Sequence, residues 1–298
     1  VKPTEVNIFL SSLLPSFRLL RKNDPLRLAG ATAFFTTFAL PPIVFLLAQL
    51  FGLFLSPGRV GRGLIENLSD NLGEEGAEQV REVIRSIRGF DDSWYVIVLG
   101  FLFLFFVATT LFIVIKNSLN QLWELKEKIN RGFVSDLFTR FRSFAVIMLV
   151  GILFFANLFF KSIESIGGKY LEGVFEGSSI YFKLVFSEMS SIIIVATWFI
   201  ILFRFLAETK PAWKAAITGG LLTAVLFTAG RYILRILLIE GNVTQLYGAS
   251  GSFVLVLLFV FYTSFIIYYG ASFIAIYSEK KGWPLTNNGL GKEKRADS

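Results

Sequence analysis

The chain has 298 residues, and neither cysteine nor histidine is among them. Their absence excludes disulfides, Cys–His nucleophiles, c-type haem attachment and zinc sites of the usual ligand types. Carboxylates and hydroxyls remain, so hydrolytic chemistry stays open, but most common active-site plans do not. Charge is also scarce. Asp, Glu, Lys and Arg make up 17% of the chain, against roughly 25% in a soluble domain. So few charged groups cannot cover a water-facing surface. What fills their place is apolar: 54% of the residues are hydrophobic and 34 are phenylalanine. The solvent this composition fits is lipid.

A bilayer core selects runs of about 20 apolar residues. Such runs occur at roughly 29–55, 94–115, 141–160, 184–206, 212–237 and 250–277. The expected fold is all-α, a polytopic transmembrane bundle of six spans over 28–279. With both termini and the 116–140 and 204–214 loops in the cytoplasm, most of the 29 basic residues fall inside and the acids favour the outside. This is the positive-inside pattern. It accounts for the net charge of +7 without nucleic acid, which is not an expected partner. Residues 1–27 carry Lys2, Arg18, Arg21, Lys22 and Arg27 without a long apolar core or cleavage site. The first span is therefore expected to serve as the insertion signal.

Three segments lie outside the spans. Residues 1–27 are expected to form a cytoplasmic interfacial helix: Val6, Phe9, Leu13, Phe17 and Leu20 recur at helical spacing, with a break or bend at Pro15 and basic residues by the headgroups. Residues 60–88 place Leu64, Leu68 and Leu72, then Val80, Val83, Ile84 and Ile87, among alternating charges. They read as a helical extracytoplasmic cap that turns near Gly73–Gly76, its apolar side resting on the bundle or offered to a partner. The tail, 280–298, is polar and expected to be disordered.

Pro41 and Pro42 stand in the middle of "FFTTFALPPIVFLL", within the charge-free stretch Leu28–Gly58. Proline removes a backbone donor and clashes with the preceding turn. A broken first helix is expected there, about mid-membrane, with freed carbonyls that must face protein or a water-filled cavity. Thr32, Thr36 and Thr37 are placed to satisfy some of them. Broken helices mark substrate sites in many transporters; the plainer reading is a structural kink.

Polar groups inside spans are costly and mark function or pairing. In the fifth run Gly220, Ala224, Thr228, Arg231 and Arg235 share one helical face. Ala216, Gly220, Ala224 and Thr228 make half of that face small, so that another backbone can approach. Arg231 and Arg235 either clamp an anion bidentately or snorkel to outer headgroups. Asn157, Lys161 and Glu164 share a face of the third run, where the Lys–Glu pair can also neutralise itself. Glu188 begins the fourth run at a depth that makes it a partner for Arg231 or Arg235. Together these residues form the candidate substrate-binding set, a polar chamber opening outward between spans three, four and five; the plainer reading is a ring of interfacial salt bridges.

The last uncharged stretch, Gly241–Ser278, opens with "GNVTQLYGASGS". It reads as a loop or re-entrant piece over 241–249, with Ser250 or Ser252 capping the sixth helix and aiming free N–H groups at an anion. The glycine-serine loop lacks the lysine of a P-loop. Tyr262, Phe265, Tyr269 and Phe273 form an aromatic stripe that reads as packing.

Several stretches resemble the YihY/BrkB family of six-span bacterial inner-membrane proteins, some of them labelled ribonuclease BN-like. They are "AGATAFFTTFALPPIVFLLAQLFG", "NQLWELK", "RFLAETKPAWKAAITGGLLTAVLF" and "LYGASGSFVLVLLFVFYTSFIIYYGASF". The resemblance runs from Ala29 to about Tyr277. It implies six helices with both termini in the cytoplasm. Family members often carry Glu after the closing Gly-Ala; here Ser272 follows Gly270-Ala271, which removes the carboxylate that a proton-coupled role would need. The ribonuclease label has no counterpart in these residues.

The expected function is transport or flipping of an anionic amphiphile, a phospholipid or lipid-linked envelope precursor, in the bacterial inner membrane. The alternative is a non-transporting structural or adaptor protein of the cell envelope. Membrane lipids are the expected partners. No enzyme activity, cofactor or metal is expected, because no activated nucleophile or paired acids stand at one depth.

Overall fold

In "RKNDPLR" the chain stops one helix and starts another within three residues. Asp24 takes a left-handed conformation, φ 51°, which aspartate tolerates better than most residues. Pro25 then supplies a helix-compatible φ at a first-turn position where no N–H is needed. The computed structural model describes residues 5–52, 94–125, 178–207, 209–234, 251–283 and 285, with isolated positions 145, 149 and 152. Among these residues there are six helices and no strand: α1 (Glu5–Lys22), α2 (Pro25–Gly52), α3 (Trp94–Leu122), α4 (Ser178–Phe205), α5 (Trp213–Leu234) and α6 (Gly251–Lys280).

The helix break expected at Pro41–Pro42 is not present, and α1 is not broken at Pro15. α1 passes through Pro15, and α2 is one helix through Pro41 and Pro42. Proline's own φ is helical; its cost is the missing donors, which free the carbonyls of Thr37 and Phe38. Packing of α2 between α3 and α6 offsets that cost. The threonines do not serve those carbonyls: Thr36 Oγ1 donates to Thr32 O at 2.7 Å and Thr37 Oγ1 to Ala33 O at 2.8 Å. α3 differs too, continuing past residue 115 to Leu122. There it ends in a two-bond cap, Leu125 N–H to Asn120 O at 2.9 Å and Glu124 N–H to Gln121 O at 3.0 Å. α6 ends in the same motif around Gly282, φ 71°.

α6 is the central helix, packed against α1, α2, α3 and α5. Its aromatic stripe is packing, as expected: Tyr262 OH donates to Leu226 O at 2.9 Å, Tyr269 OH to Leu13 O at 3.1 Å, and Phe273 meets the Phe9 ring edge-on at 5.2 Å. α1 lies along the C-terminal half of α6. Ser12, Ser16 and Leu20 are buried, while Val6, Leu10, Leu14 and Phe17 stay exposed. The expected apolar face thus divides: Phe9, Leu13 and Leu20 dock, and Val6 and Phe17 do not. Lys281 Nζ pairs with Glu5 Oε1 at 3.0 Å, and Lys280 Nζ donates to Ser11 O at 2.6 Å. The N-terminal helix and the end of α6 therefore sit at one end of the bundle.

The start of α2 and the end of α3 are at that same end, since Lys22 pairs with Glu124 and Arg27 donates to Gln121. The α4–α5 corner is there as well, with Lys214 close enough to Glu5 to act on its carboxylate. The small face of α5 does what its four-residue period implies. Gly220 takes the Ile200 backbone of α4 so closely that a Cβ would lie 3.0 Å from its nitrogen.

Polarity is distributed inside out. Phe103, Ile193 and Val225 are each more than half exposed, while Thr109, Lys116, Ser118, Asn120, Ser264 and Ser272 are buried. That distribution suits an apolar solvent. Among the described residues Phe105–Leu122, Trp213–Leu234 and Phe253–Lys280 are long and apolar enough to cross a membrane. α6 begins at Gly251, so Ser252 is inside it and does not cap it. The expected cap at 60–88 and the loop at 241–249 lie outside the described residues, as does the tail beyond 285. So does the third run apart from 145, 149 and 152.

Candidate functional site: a buried polar seam and a charged far end

Where α2, α3 and α6 meet, three hydroxyls converge. Thr32 Oγ1 of α2 is in hydrogen-bond contact with the Tyr268 hydroxyl of α6, and Ser118 of α3 stands close enough to the same phenol to act on it. Thr32 is 2% exposed and Tyr268 wholly buried. Lys116, one half-turn before Ser118, is 5% exposed. With Thr109, Asn120 and Trp123 it follows one face of α3 at i, i+4 and i+7 spacing. All four are buried. The Trp123 indole donates to the Ala271 carbonyl of α6 at 2.9 Å, tying this face to the central helix. A lysine held inside a helix bundle needs polar company. Thr109 and Asn120 share the face of Lys116, two turns before it and one turn after it, while Ser118 is on the opposite side of the helix.

Sequence reasoning missed the seam. The charge-free run stops at Ile115, so Lys116 was assigned to a cytoplasmic loop. One signal was available: "KNSLNQLW" keeps Lys116, Asn120 and Trp123 in phase with Thr109 and Phe112, so the helical period continues beyond the apolar run.

The charged end expected between spans three, four and five is only partly described. Arg231 is in the last turn of α5, half-buried, with its guanidinium carbon 5.5 Å from the centroid of the adjacent Tyr232 ring. It lies on the helical face of Gly220, the face turned to α4. Gly220 against Ile200, and Phe199 against Phe227, set the antiparallel register of α4 and α5. That register carries the Glu188 position, on the α4 face of Phe199, toward the Arg231 end of α5. Arg235, Asn157, Lys161 and Glu164 lie outside the described residues. Pro41 and Pro42 are on α2, nine and ten residues beyond Thr32. Among the described residues no group of His, Cys, Asp or Glu is arranged to hold a metal.

A polar seam inside an inside-out helical bundle can be set beside known families. The family model described as virulence factor BrkB matches residues 16–295. The chain belongs to the BrkB family. Among its relatives, a UPF0761 membrane protein of Aggregatibacter aphrophilus is 23% identical over 269 residues, covering 89% of this chain and 91% of the relative. A UPF0761 membrane protein of Vibrio parahaemolyticus is 24% identical over 287 residues, covering 92% and 87%. One of Mannheimia succiniciproducens is 23% identical over 266 residues, covering 88% and 87%. No solved structure is significantly similar. In this BrkB-family chain Ser272 is wholly buried beside the seam and donates to Tyr268 O at 2.9 Å. Its hydroxyl is satisfied within its own helix.

Proposed function

We propose that this BrkB-family membrane protein moves an anionic amphiphile, a phospholipid or lipid-linked envelope precursor, across the bacterial inner membrane. The observation that carries the reading is the buried cation of the seam. A lysine inside an apolar bundle is expensive, and such residues usually line substrate or ion pathways. Thr109 and Asn120, buried on the same face of α3, add polar groups that can follow a headgroup. At the far end, Arg231 gives a second cationic station. In this reading neither station is catalytic.

Six crossings with both termini in the cytoplasm suit the helix directions. α3 and α4 both finish at the end that carries α1, so the chain joining them must return to the opposite end. The apolar run 141–160 is the natural crossing. Basic residues concentrate at the α1 end, which the positive-inside pattern places in the cytoplasm.

The test is lipid movement in proteoliposomes, with NBD-labelled phosphatidylglycerol followed by dithionite quenching. The wild type is expected to exceed protein-free vesicles, and Lys116→Gln to move the lipid several-fold more slowly while remaining folded. No movement by the wild type would leave the structural or adaptor reading in its place.

A further inference from the structure

The corner between α4 and α5 holds a cation with no carboxylate partner among the described residues. Arg204 is half-buried; its guanidinium carbon sits 5.0 Å from the centroid of the Trp213 ring, and Nη1 donates to the Pro211 carbonyl. Its Nε is buried without a hydrogen-bond partner, and no carboxylate pairs with it among the described residues. Five residues on, Thr209 is 8% exposed, and its hydroxyl too is buried without a partner. Two buried polar groups left unsatisfied in one short loop are unusual in a folded protein.

The surroundings say what would satisfy them. α5 starts at Trp213, and its first-turn N–H groups point out of that end with the positive end of the helix dipole. Lys210 and Lys214 are exposed beside it. Residues 204–214 hold three cations and a single acid, Glu208. Arg204 Nε, the Thr209 hydroxyl and the first-turn N–H groups can each donate to an anion. The exposed side of the corner is aromatic, however: Phe205 and Trp213, 37% and 53% exposed, stand edge to face at 6.1 Å. Aromatic rings next to cations are the pattern of a membrane–water boundary. A free phosphate has no use for them, whereas a phospholipid does.

We propose that the α4–α5 corner is a binding site for the phosphate of an anionic phospholipid. Arg204, the Thr209 hydroxyl and the α5 N-terminus receive the phosphodiester, with Lys210 and Lys214 at its rim. Phe205 and Trp213 flank the glycerol and upper acyl chain. This station lies on the outside of the bundle, at the end opposite Arg231. It does not require that the protein transport anything: a lipid held here anchors the loop and fixes the depth of α4 and α5.

Native mass spectrometry of the full chain in detergent tests this, with phosphatidylglycerol titrated against phosphatidylcholine of the same acyl chains. The first phosphatidylglycerol should bind about tenfold more tightly than phosphatidylcholine, the scale of a few basic contacts at a membrane surface. Arg204→Gln should remove that preference. Thr209→Val, nearly isosteric and free of the unsatisfied hydroxyl, should weaken phosphatidylglycerol binding about threefold while leaving the protein folded and no less heat-stable. It keeps the test decisive if Arg204→Gln fails to fold. Glycerol 3-phosphate should compete poorly. Equal binding of the two lipids, unchanged binding by Thr209→Val, or full competition by glycerol 3-phosphate would each overturn the lipid site. None of these outcomes depends on movement in proteoliposomes, so the two proposals fail separately.

Discussion

Gly219 and Gly220 are neighbours in the chain but serve different helices. A methyl group on Gly219 would lie 2.3 Å from Ile274 Cγ1 of α6, and one on Gly220 would lie 2.4 Å from Ile200 Cγ1 of α4. Ile274 presents only the flexible part of its side chain to Gly219, whereas Gly220 also meets the Ile200 backbone. Gly220→Ala should therefore destabilise the protein by about 1–3 kcal/mol, an overpacking cost, and Gly219→Ala by less. Gly30 in α2 has nothing within 4 Å of where a Cβ would stand. Gly30→Ala should be neutral or stabilise by up to ~1 kcal/mol, from helix propensity. Thermal melts in detergent, followed by circular dichroism, should rank the three in that order. A Gly220→Ala melt at or above the wild-type temperature would show that α4 and α5 are not this close.

The Thr32–Tyr268 contact joins α2 to the central helix α6. Tyr268→Phe and Thr32→Val should each cost about 1 kcal/mol or somewhat more, since each leaves a buried partner group behind. The double variant should cost clearly less than the two together, because the same bond is lost once. Unfolding in denaturant across the four proteins checks this. Strict additivity would mean that the hydroxyls do not interact in the membrane protein.

At the far end, Arg231→Glu should add an acid at the end of the α4–α5 pair that carries Glu188, and lower both the melting temperature and the retention of anionic lipid. Adding Glu188→Arg restores a pair of opposite sign and should recover the melting temperature. Lipid retention should recover with it only if the site needs a cation and not Arg231 itself. A double variant no more stable than Arg231→Glu would rule out a pairing of the two positions.

Docking of α1 should respond to acid. The Glu5 carboxyl is held below its ordinary value by the hydrogen bond from Lys281, then by the charge of that lysine and of Lys214. Lys281 is held above its ordinary value, chiefly by the same hydrogen bond. A lowered carboxyl pKa favours docking above the unfolded value and loses that contribution as pH falls through the folded one. A raised lysine pKa contributes below its ordinary value and loses it as pH rises through the folded one. The pair should thus act between about pH 5 and about pH 10. Hydrogen exchange of α1, corrected for intrinsic rates, should quicken at pH 3 relative to pH 7. In Glu5→Gln it should already be faster at pH 7, with a smaller further change on acidification. Because Glu5 is well exposed the effect is modest; an α1 exchange profile identical in both proteins at both pH values would sink it.

Composition and period alone determined that this chain is helical, that lipid is its solvent, and where five of its described helices run. Those signals are local: an uncharged run reports its own solvent, and a four-residue spacing of Ala216, Gly220 and Ala224 reports its own close approach. Other features depended on neighbours distant in sequence. Pro41 and Pro42 read as a break, yet packing against α3 and α6 keeps α2 helical through them. Lys116 read as a loop residue because it follows the last apolar position of its run. Only the tertiary structure, which brings Thr32 and Tyr268 to the level of Ser118 and ties Trp123 to Ala271, turns that stretch into a buried seam. Burial of a polar side chain is decided by what covers it, and in this protein the cover comes from helices far away in the sequence.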